Sequence, residues 1–285
     1  CLDNELYLGG SLIIAAHLAE FADNVSVISS IGKECPHNKF IKKKLHPNIK
    51  AQFYYNDKHP TLIKKRYVIK DGNRISKLFE TYSSNEPLLK NESNQEVIRY
   101  LEKEASKYDL VLVADFGNGF TNPLLINTIS RLPNFLAVNT QVNSGNRGYN
   151  IITNYKRADF ISLNEPELRL ATNDKHAPIE ALTSTIAKKL SCPKITITRG
   201  VNGAFCYSSH SPSSDTPALI SNAIDRVGAG DCFFAIAALA ACKKLPVDLC
   251  GFLGSIASAI NVQIICNKEP LSKIAYLKFL NRLMK

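Results

Sequence analysis

Two aspartates bracket a short glycine turn at Asp225-Arg226-Val227-Gly228-Ala229-Gly230-Asp231, and an apolar run over 232–239 follows at once. A helix that starts there presents unpaired backbone N–H groups and the positive end of its dipole, which suits an anion. Glycine lets the backbone approach that anion closely and take φ > 0. A bound anion would repel an aspartate in the same place, so Asp231 needs a task. One task is to accept the proton of a hydroxyl that attacks a phosphoryl group. The alternative is an N-capped, buried helix after a glycine turn.

Four further groups fall at or beyond expected strand ends. Asn164-Glu165-Pro166-Glu167 has the spacing of a capping box, with Asn164 as cap and Glu167 at the third helical position. The same spacing suits a carboxylate that holds a hydrated Mg²⁺ near phosphates. Thr198-Arg199-Gly200-Val201-Asn202-Gly203 is either an ordinary turn or one tight enough for a nucleotide to lie against its backbone. Gly9-Gly10 precedes the first helix and is a second close-approach turn. Asp115, ahead of Gly117-Asn118-Gly119, binds a substrate hydroxyl or initiates a turn. Lys64 and Arg66 alternate along a strand, facing either a substrate or solvent.

The elements that must position these groups alternate along the chain. Helices are expected over 11–22, 36–45, 94–107, 122–132, 165–173, 178–190, 229–243, 247–265 and 271–284. Strands are expected over 25–31, 109–114, 135–138, 159–163, 194–198, 203–208 and 217–220. Continuous apolar strands separated by helices indicate a parallel sheet covered on both faces, with ligands at the carboxyl ends of its strands. Residues 51–55, 62–69 and 74–82 are different in character: short, aromatic and branched, with Asp71-Gly72-Asn73 as a hairpin turn. They read as a small antiparallel sheet, or lid, within about 50–82. The polar stretch 139–146 reads as a loop.

Bulk properties narrow the classes. The chain has 285 residues and a net charge of +10, with 45% hydrophobic and 21% charged residues. There is material for a large core, and no apolar run reaches membrane-spanning length. The basic clusters Lys42-Lys43-Lys44 and Lys64-Lys65-Arg66 come without any nucleic-acid motif, so a phosphorylated substrate is the simpler explanation of the surplus. Eight cysteines, none in Cys-x-x-Cys spacing, fit a reducing cytosol rather than disulfides or zinc. The Gly-x-x-x-x-Gly-Lys-Ser/Thr loop, the protein-kinase set and Gly-x-Ser-x-Gly are absent. The six histidines, His17 among them, form no metal-binding pair. The chain opens without Met, as a fragment or an excised domain would, and reads as a single domain over 1–285.

Taken together, the motifs resemble the PfkB, or ribokinase-like, carbohydrate kinases. Asp225-x-x-Gly228-Ala229-Gly230-Asp231-x-Phe233 resembles their C-terminal signature. Gly9-Gly10 with Ala15 and Ala19, then Ile31-Gly32, resembles the N-terminal one. Asn164-x-x-Glu167 and Thr198-Arg199-Gly200-x-x-Gly203 match the metal-and-phosphate and nucleotide motifs in place and order. His59-Pro60-Thr61-Leu62-Ile63-Lys64-Lys65-Arg66 and Ala114-Asp115-Phe116-Gly117-x-Gly119 are most similar to the heptose-phosphate kinase domain of ADP-heptose synthase-type bifunctional proteins.

The resemblance implies a three-layer α/β/α fold with a mostly parallel central sheet and a small antiparallel lid. It implies ATP and Mg²⁺, with a sugar or sugar phosphate as acceptor. Asp231 would be the base, and the amides of Gly228, Ala229 and Gly230 an anion hole. Asn164 and Glu167 would organise the metal. Thr198, Gly200, Gly203 and Asp225 would meet the nucleotide, and Gly9, Gly10, Lys64, Arg66, Asp115 and Asn139 the acceptor. Pairing of two copies through the lid strands and fusion to a nucleotidyltransferase are further expectations. Three departures from the family lie on the acceptor side, the first being that the chain starts just before Gly9-Gly10 and so lacks the strand that in the family supplies a sugar-binding Asp. Leu12-Ile13-Ile14 replaces an expected Asn, and Asn139-Thr140-Gln141 stands where heptose kinases have Asp-Pro-Lys. They leave open a non-catalytic sugar- or nucleotide-binding module as the alternative.

Overall fold

The computed structural model describes residues 4–56, 60–71, 74–82, 91–143 and 146–285. Along them run α1 (Ser11–Ala19), β1 (Val25–Gly32), α2 (Asn38–Lys44), β2 (Ile49–Asn56), β3 (Lys64–Asp71) and β4 (Arg74–Tyr82). Then come α3 (Asn91–Glu104), β5 (Leu110–Asp115), α4 (Pro123–Arg131), β6 (Phe135–Thr140), β7 (Phe160–Asn164), α5 (Glu165–Thr172), α6 (Ile179–Lys189), β8 (Lys194–Thr198), β9 (Ala204–Ser208) and β10 (Ser214–Thr216). The chain closes with α7 (Ala229–Cys242), α8 (Val247–Asn261) and α9 (Lys273–Leu283). Gly72 and Asn73 of the expected hairpin turn, His59, and positions 144 and 145 of the polar loop lie outside the described residues. Two compact units emerge: Cys1–Glu86 with Ile220–Ala235 and Ile256–Lys285, and Pro87–Leu219 with Ile236–Ser255.

The second unit carries a six-stranded sheet in the order β10-β9-β8-β7-β6-β5. β5 to β8 are parallel, and β9 and β10 run antiparallel to their neighbours. Leu136, Val138, Phe160, Ile161, Leu163, Ile195 and Ile197 are all buried, so inward and outward positions alike are covered, as their continuous apolar runs require. Each such side chain contributes about 1.5–3 kcal/mol. Parallel strands share one carboxyl edge, where the register sets Asp115 beside Thr140 and Asn164 beside Thr198. The last strand falls at 214–216 rather than 217–220, because Pro217 has no N–H for the ladder.

In the first unit β1 and β2 pair in parallel, from Val25 opposite Ile49 to Gly32 opposite Asn56. The sequence alone groups 51–55 with the lid strands; the structure instead uses α2 as a crossover, which a parallel pair needs. Ile41 of α2 packs with Leu8, Ile13 and Ala16, and so closes that βαβ turn. β3 and β4 form the small antiparallel sheet, with an irregularity between Tyr67 and Val68. α7 begins in the first unit and ends in the second. Phe233, Phe234, Ala235, Ala237 and Ala238 are all buried, which makes it apolar around its circumference. Among the described residues no helix is long and apolar enough to cross a membrane.

Candidate active site

In the first unit, the glycine turn is tied down from two sides. The N–H of Val227 donates to Asp225 Oδ1 at 3.0 Å, and the N–H of Cys266 donates to Asp225 Oδ2 at 2.9 Å. Asp225 therefore links the turn to the segment after α8. The Ser258 hydroxyl donates to the Ala229 carbonyl at 2.8 Å, and the Cys232 N–H donates to the Gly228 carbonyl at 2.9 Å, opening α7. Gly228 has φ 81°, and a Cβ there would lie 1.9 Å from Asn267 Oδ1, so any other residue would be strained and would have to displace the Asn267 amide. Beside Gly230 there is open space: a Cβ there would meet nothing within 4 Å. Asp231 stands half-buried in the first turn of α7. A helix N-terminus with open space at a glycine and a carboxylate one residue on suits a phosphoryl group and the hydroxyl that attacks it.

The other first-unit candidates have structural partners. Gly9 and Gly10 open α1, their carbonyls accepting from Leu12 and Ile14 at 3.2 and 3.3 Å. Ile13 and Ile14 are buried and Leu12 packs on the same core, so the apolar triplet is explained by packing. Lys64 Nζ and Arg66 Nε each lie 3.3 Å from Glu80 of the neighbouring strand. Partial burial pushes the Glu80 carboxyl up, but Lys64, Tyr82 and Lys77 together hold it below its usual value. One carboxylate, Glu80, thus faces three cations, Lys64, Arg66 and Lys77, which leaves positive charge in excess on the ribbon. The Gly32 N–H donates to Thr61 Oγ1 at 3.0 Å, which anchors the lead-in to β3 on the end of β1.

In the second unit the capping box forms in full. The Glu167 N–H donates to Asn164 Oδ1 at 2.8 Å, and the Asn164 N–H donates to Glu167 Oε2 at 2.9 Å. The Val142 N–H reaches Glu167 Oε1 at 3.3 Å. Glu167 is 5% exposed, a buried carboxylate oriented by backbone amides, while Asn164 is exposed. A carboxylate so held suits contact to the water shell of a hydrated Mg²⁺ rather than displacement of its waters. Thr198 is the register partner of Asn164, and its hydroxyl donates to the Leu163 carbonyl at 3.4 Å. The turn after it is a hairpin closed by the Arg199 N–H on the Gly203 carbonyl at 2.7 Å. At Gly203, φ is 75° and a Cβ would lie 1.9 Å from the Thr216 carbonyl, so this glycine serves the approach of β10. Gly200 faces open space.

Asp115 is 3% exposed; its Oδ1 accepts from the Gly117 N–H and its Oδ2 from the Tyr155 hydroxyl, both at 2.9 Å. Of its two readings the turn is the one this geometry favours. Burial first, then the Asp115 charge, pushes the Tyr155 phenol well above its ordinary value. Asn139 is buried and donates to the Ser162 carbonyl at 2.7 Å, joining β6 to β7. The asparagines of the polar loop have a role their sequence conceals. Asn143 and Asn146 both donate to the Phe116 carbonyl, and Asn150 donates to the Asp115 carbonyl, lacing that loop to the turn after β5. A cavity of about 760 Å³ opens beside them, lined by Gly119, Thr121, Asn127, Tyr149, Asn154 and Lys156 among others. Asn146, Asn150, Tyr155 and Asn267 had no sequence signal, since each acts through a partner distant along the chain.

Among the described residues no group of three metal-ligating side chains occurs, and the seven described cysteines are free thiols. Burial pushes the Cys192 and Cys250 thiols up to about 12 and Cys232 higher still, so these behave as small apolar groups.

A family model described as pfkB family carbohydrate kinase matches residues 3–265. The chain is similar to the bifunctional protein HldE of Trichlorobacter lovleyi, 23% identical over 264 residues, covering 92% of this chain and 52% of that protein. The HldE of Wolinella succinogenes is 22% identical over 260 residues, covering 90% and 53%. The chain thus spans about half the length of these curated relatives. Among solved structures it resembles Escherichia coli phosphofructokinase-2 in complex with substrates and products, with a TM-score of 0.75 at 13% identity, covering 97% of this chain and 88% of that one. The Arabidopsis thaliana ribokinase complexed with ribose and ATP gives 0.65 at 19% identity, covering 94% and 86%. The ribokinase of Thermotoga maritima gives 0.64 at 16%, covering 95% and 85%. These likenesses show a ribokinase-like fold.

Proposed function

The chain belongs to the pfkB family of carbohydrate kinases, and from that premise we propose that it transfers the γ-phosphoryl group of ATP to a hydroxyl of a sugar phosphate of the heptose class. The observation that carries this reading is Asp231 in the first turn of α7, directly after a glycine turn with open space at Gly230. Asp231 takes the proton of the acceptor hydroxyl as its oxygen bonds to the γ-phosphorus. The bond from that phosphorus to the bridging oxygen breaks, and ADP leaves with the electron pair. The N–H groups of Gly228, Ala229 and Gly230 stabilise the charge on the transferring group. Asp225 keeps that turn in shape through its two backbone bonds.

Asn164 and Glu167 would hold a hydrated Mg²⁺, which when bound would neutralise phosphate charge. Thr198 and Gly200 lie against the nucleotide, and Gly203 shapes their turn. On the acceptor side, Gly9 and Gly10 supply close backbone approach. Lys64 and Arg66 favour an anionic acceptor, while Asp115 and Asn139 fix the ends of β5 and β6. The heptose class is supported by the similarity to the HldE proteins. Fusion to a second, nucleotidyltransferase domain rests on the same relatives, which are described as bifunctional. Two copies pair through β3 and β4, whose Ile69, Leu78 and Phe79 are exposed on a ribbon of only two strands. One structure of Escherichia coli phosphofructokinase-2, of similar fold, is described as tetrameric.

The test is ADP release with a panel of sugars and sugar phosphates, run on wild type and Asp231→Asn. Turnover of Asp231→Asn is expected to fall by about 10³-fold while ATP binding stays nearly intact. Near-wild-type turnover in that variant would sink the assignment.

A further inference from the structure

We infer that Asn267 is a positioning residue for the Gly228-Ala229-Gly230 turn, a neutral wedge that keeps its N–H groups aimed at the transferring phosphoryl group. The inference rests on the anion-hole reading of that turn.

Three observations converge on it. The Asn267 side chain sits against Gly228 so closely that a Cβ there would lie 1.9 Å from Oδ1 and 2.8 Å from Cγ. Asn267 is buried, yet its Oδ1 has no hydrogen-bond partner among the described residues. Buried amide oxygens are nearly always paired, and leaving one unpaired is unfavourable. Cys266 and Asn267 are also consecutive non-glycine residues in the left-handed region, with φ 48° and 60°. Such backbone is unfavourable for L-residues, and it gathers where the surrounding structure over-determines it at working sites.

Stability alone selects against this arrangement: a glycine at 267 would relieve the backbone and remove the orphaned oxygen. The segment is nonetheless fixed, because the Cys266 N–H is held by Asp225, whose other oxygen holds Val227 in the turn itself. Asp225 pulls the turn and the 266–267 segment together, and Asn267 sets how close they come. That spacing fixes φ at Gly228 and hence the direction of the N–H groups that follow. Asparagine meets two demands at once. It tolerates left-handed backbone, and it brings no negative charge next to an anion site, as aspartate would.

The experiment compares wild type, Asn267→Gly, Asn267→Asp and Asp231→Asn by steady-state kinetics and thermal unfolding. Asn267→Gly is expected to keep or raise its Tm and to keep both KM values, while kcat falls by about 10²-fold, the loss that follows a displacement of about 1 Å at a reacting centre. Asn267→Asp, with the same shape, is expected to lose kcat through charge, and it decides the matter if the glycine variant does not fold. Wild-type kcat in either folded variant would overturn the inference, as would a loss shared equally by kcat and both KM values. An inactive Asp231→Asn beside a fully active Asn267→Gly refutes Asn267 alone. A fully active Asp231→Asn refutes the reading of the turn.

Discussion

At the scale of single residues, burial decides which titratable groups respond to pH. His17 is fully buried in α1, its Nδ1 accepting from the Leu271 N–H at 2.9 Å. Burial lowers its pKa from 6.5 to about 4. As pH falls below about 6.5 the unfolded chain takes up this proton and the folded one does not, so stability is lost progressively and levels off below about 4. The full difference corresponds to about 3 kcal/mol. Urea unfolding at pH 7 and 5 is expected to show the loss in wild type and a smaller one in His17→Gln; equal slopes would refute it. Glu167→Gln tests a second buried group. Its amide oxygen still accepts one backbone bond, so Tm is expected to drop modestly, by about 1 kcal/mol in stability. The Mg²⁺ concentration for half-maximal turnover is expected to rise by about tenfold or more. An unchanged Mg²⁺ requirement would leave Glu167 as a helix cap alone. Both readings of Asn164-x-x-Glu167 were legible in its spacing. The formed capping box establishes the first of them, and the metal reading rests on the Mg²⁺ titration of Glu167→Gln.

At the scale of elements, the β3–β4 ribbon joins a charged face to an apolar one. Arg66 pairs across the strands with Glu80, while Tyr67 stacks on Phe79 with ring centroids 4.3 Å apart. Phe79 is 54% exposed, and a ribbon of two strands is marginal by itself. Phe79→Lys is expected to convert a dimer to a monomer in sedimentation experiments. A wild-type monomer, or a dimer that survives the change, would exclude the ribbon as the interface. The strands themselves were legible from aromatic and branched runs, but not all their pairings. The run 51–55 has the composition of its neighbours, yet α2 supplies the crossover that sends β2 parallel to β1. Composition carries no information about strand direction; connection geometry does. Likewise the partner of Lys64 and Arg66 follows from register, which sets Glu80 opposite Arg66.

At the scale of the whole molecule, a ligand that binds only the folded chain must stabilise it. ATP with Mg²⁺ at about 100 times its dissociation constant is expected to add about 2.7 kcal/mol. A chelator should remove both the thermal shift attributable to the metal and the turnover. The absence of any shift with nucleotide would count against the kinase reading independently of the acceptor chosen. What the sequence determined by itself is what short-range forces decide. The apolar runs of a covered sheet, the glycine turn opening α7, the Asn164 cap and the order of the motifs all depend on neighbours a few residues apart. The tertiary structure alone decided the partners that lie far along the chain. Asp225 grips Cys266 across 41 residues, His17 meets Leu271 across 254, and Asn267 is set against Gly228. Such pairs depend on loop lengths, register and packing summed over the chain, so no local pattern encodes them. Of these, the Asp225 and Asn267 contacts are the ones made at the glycine turn that opens α7.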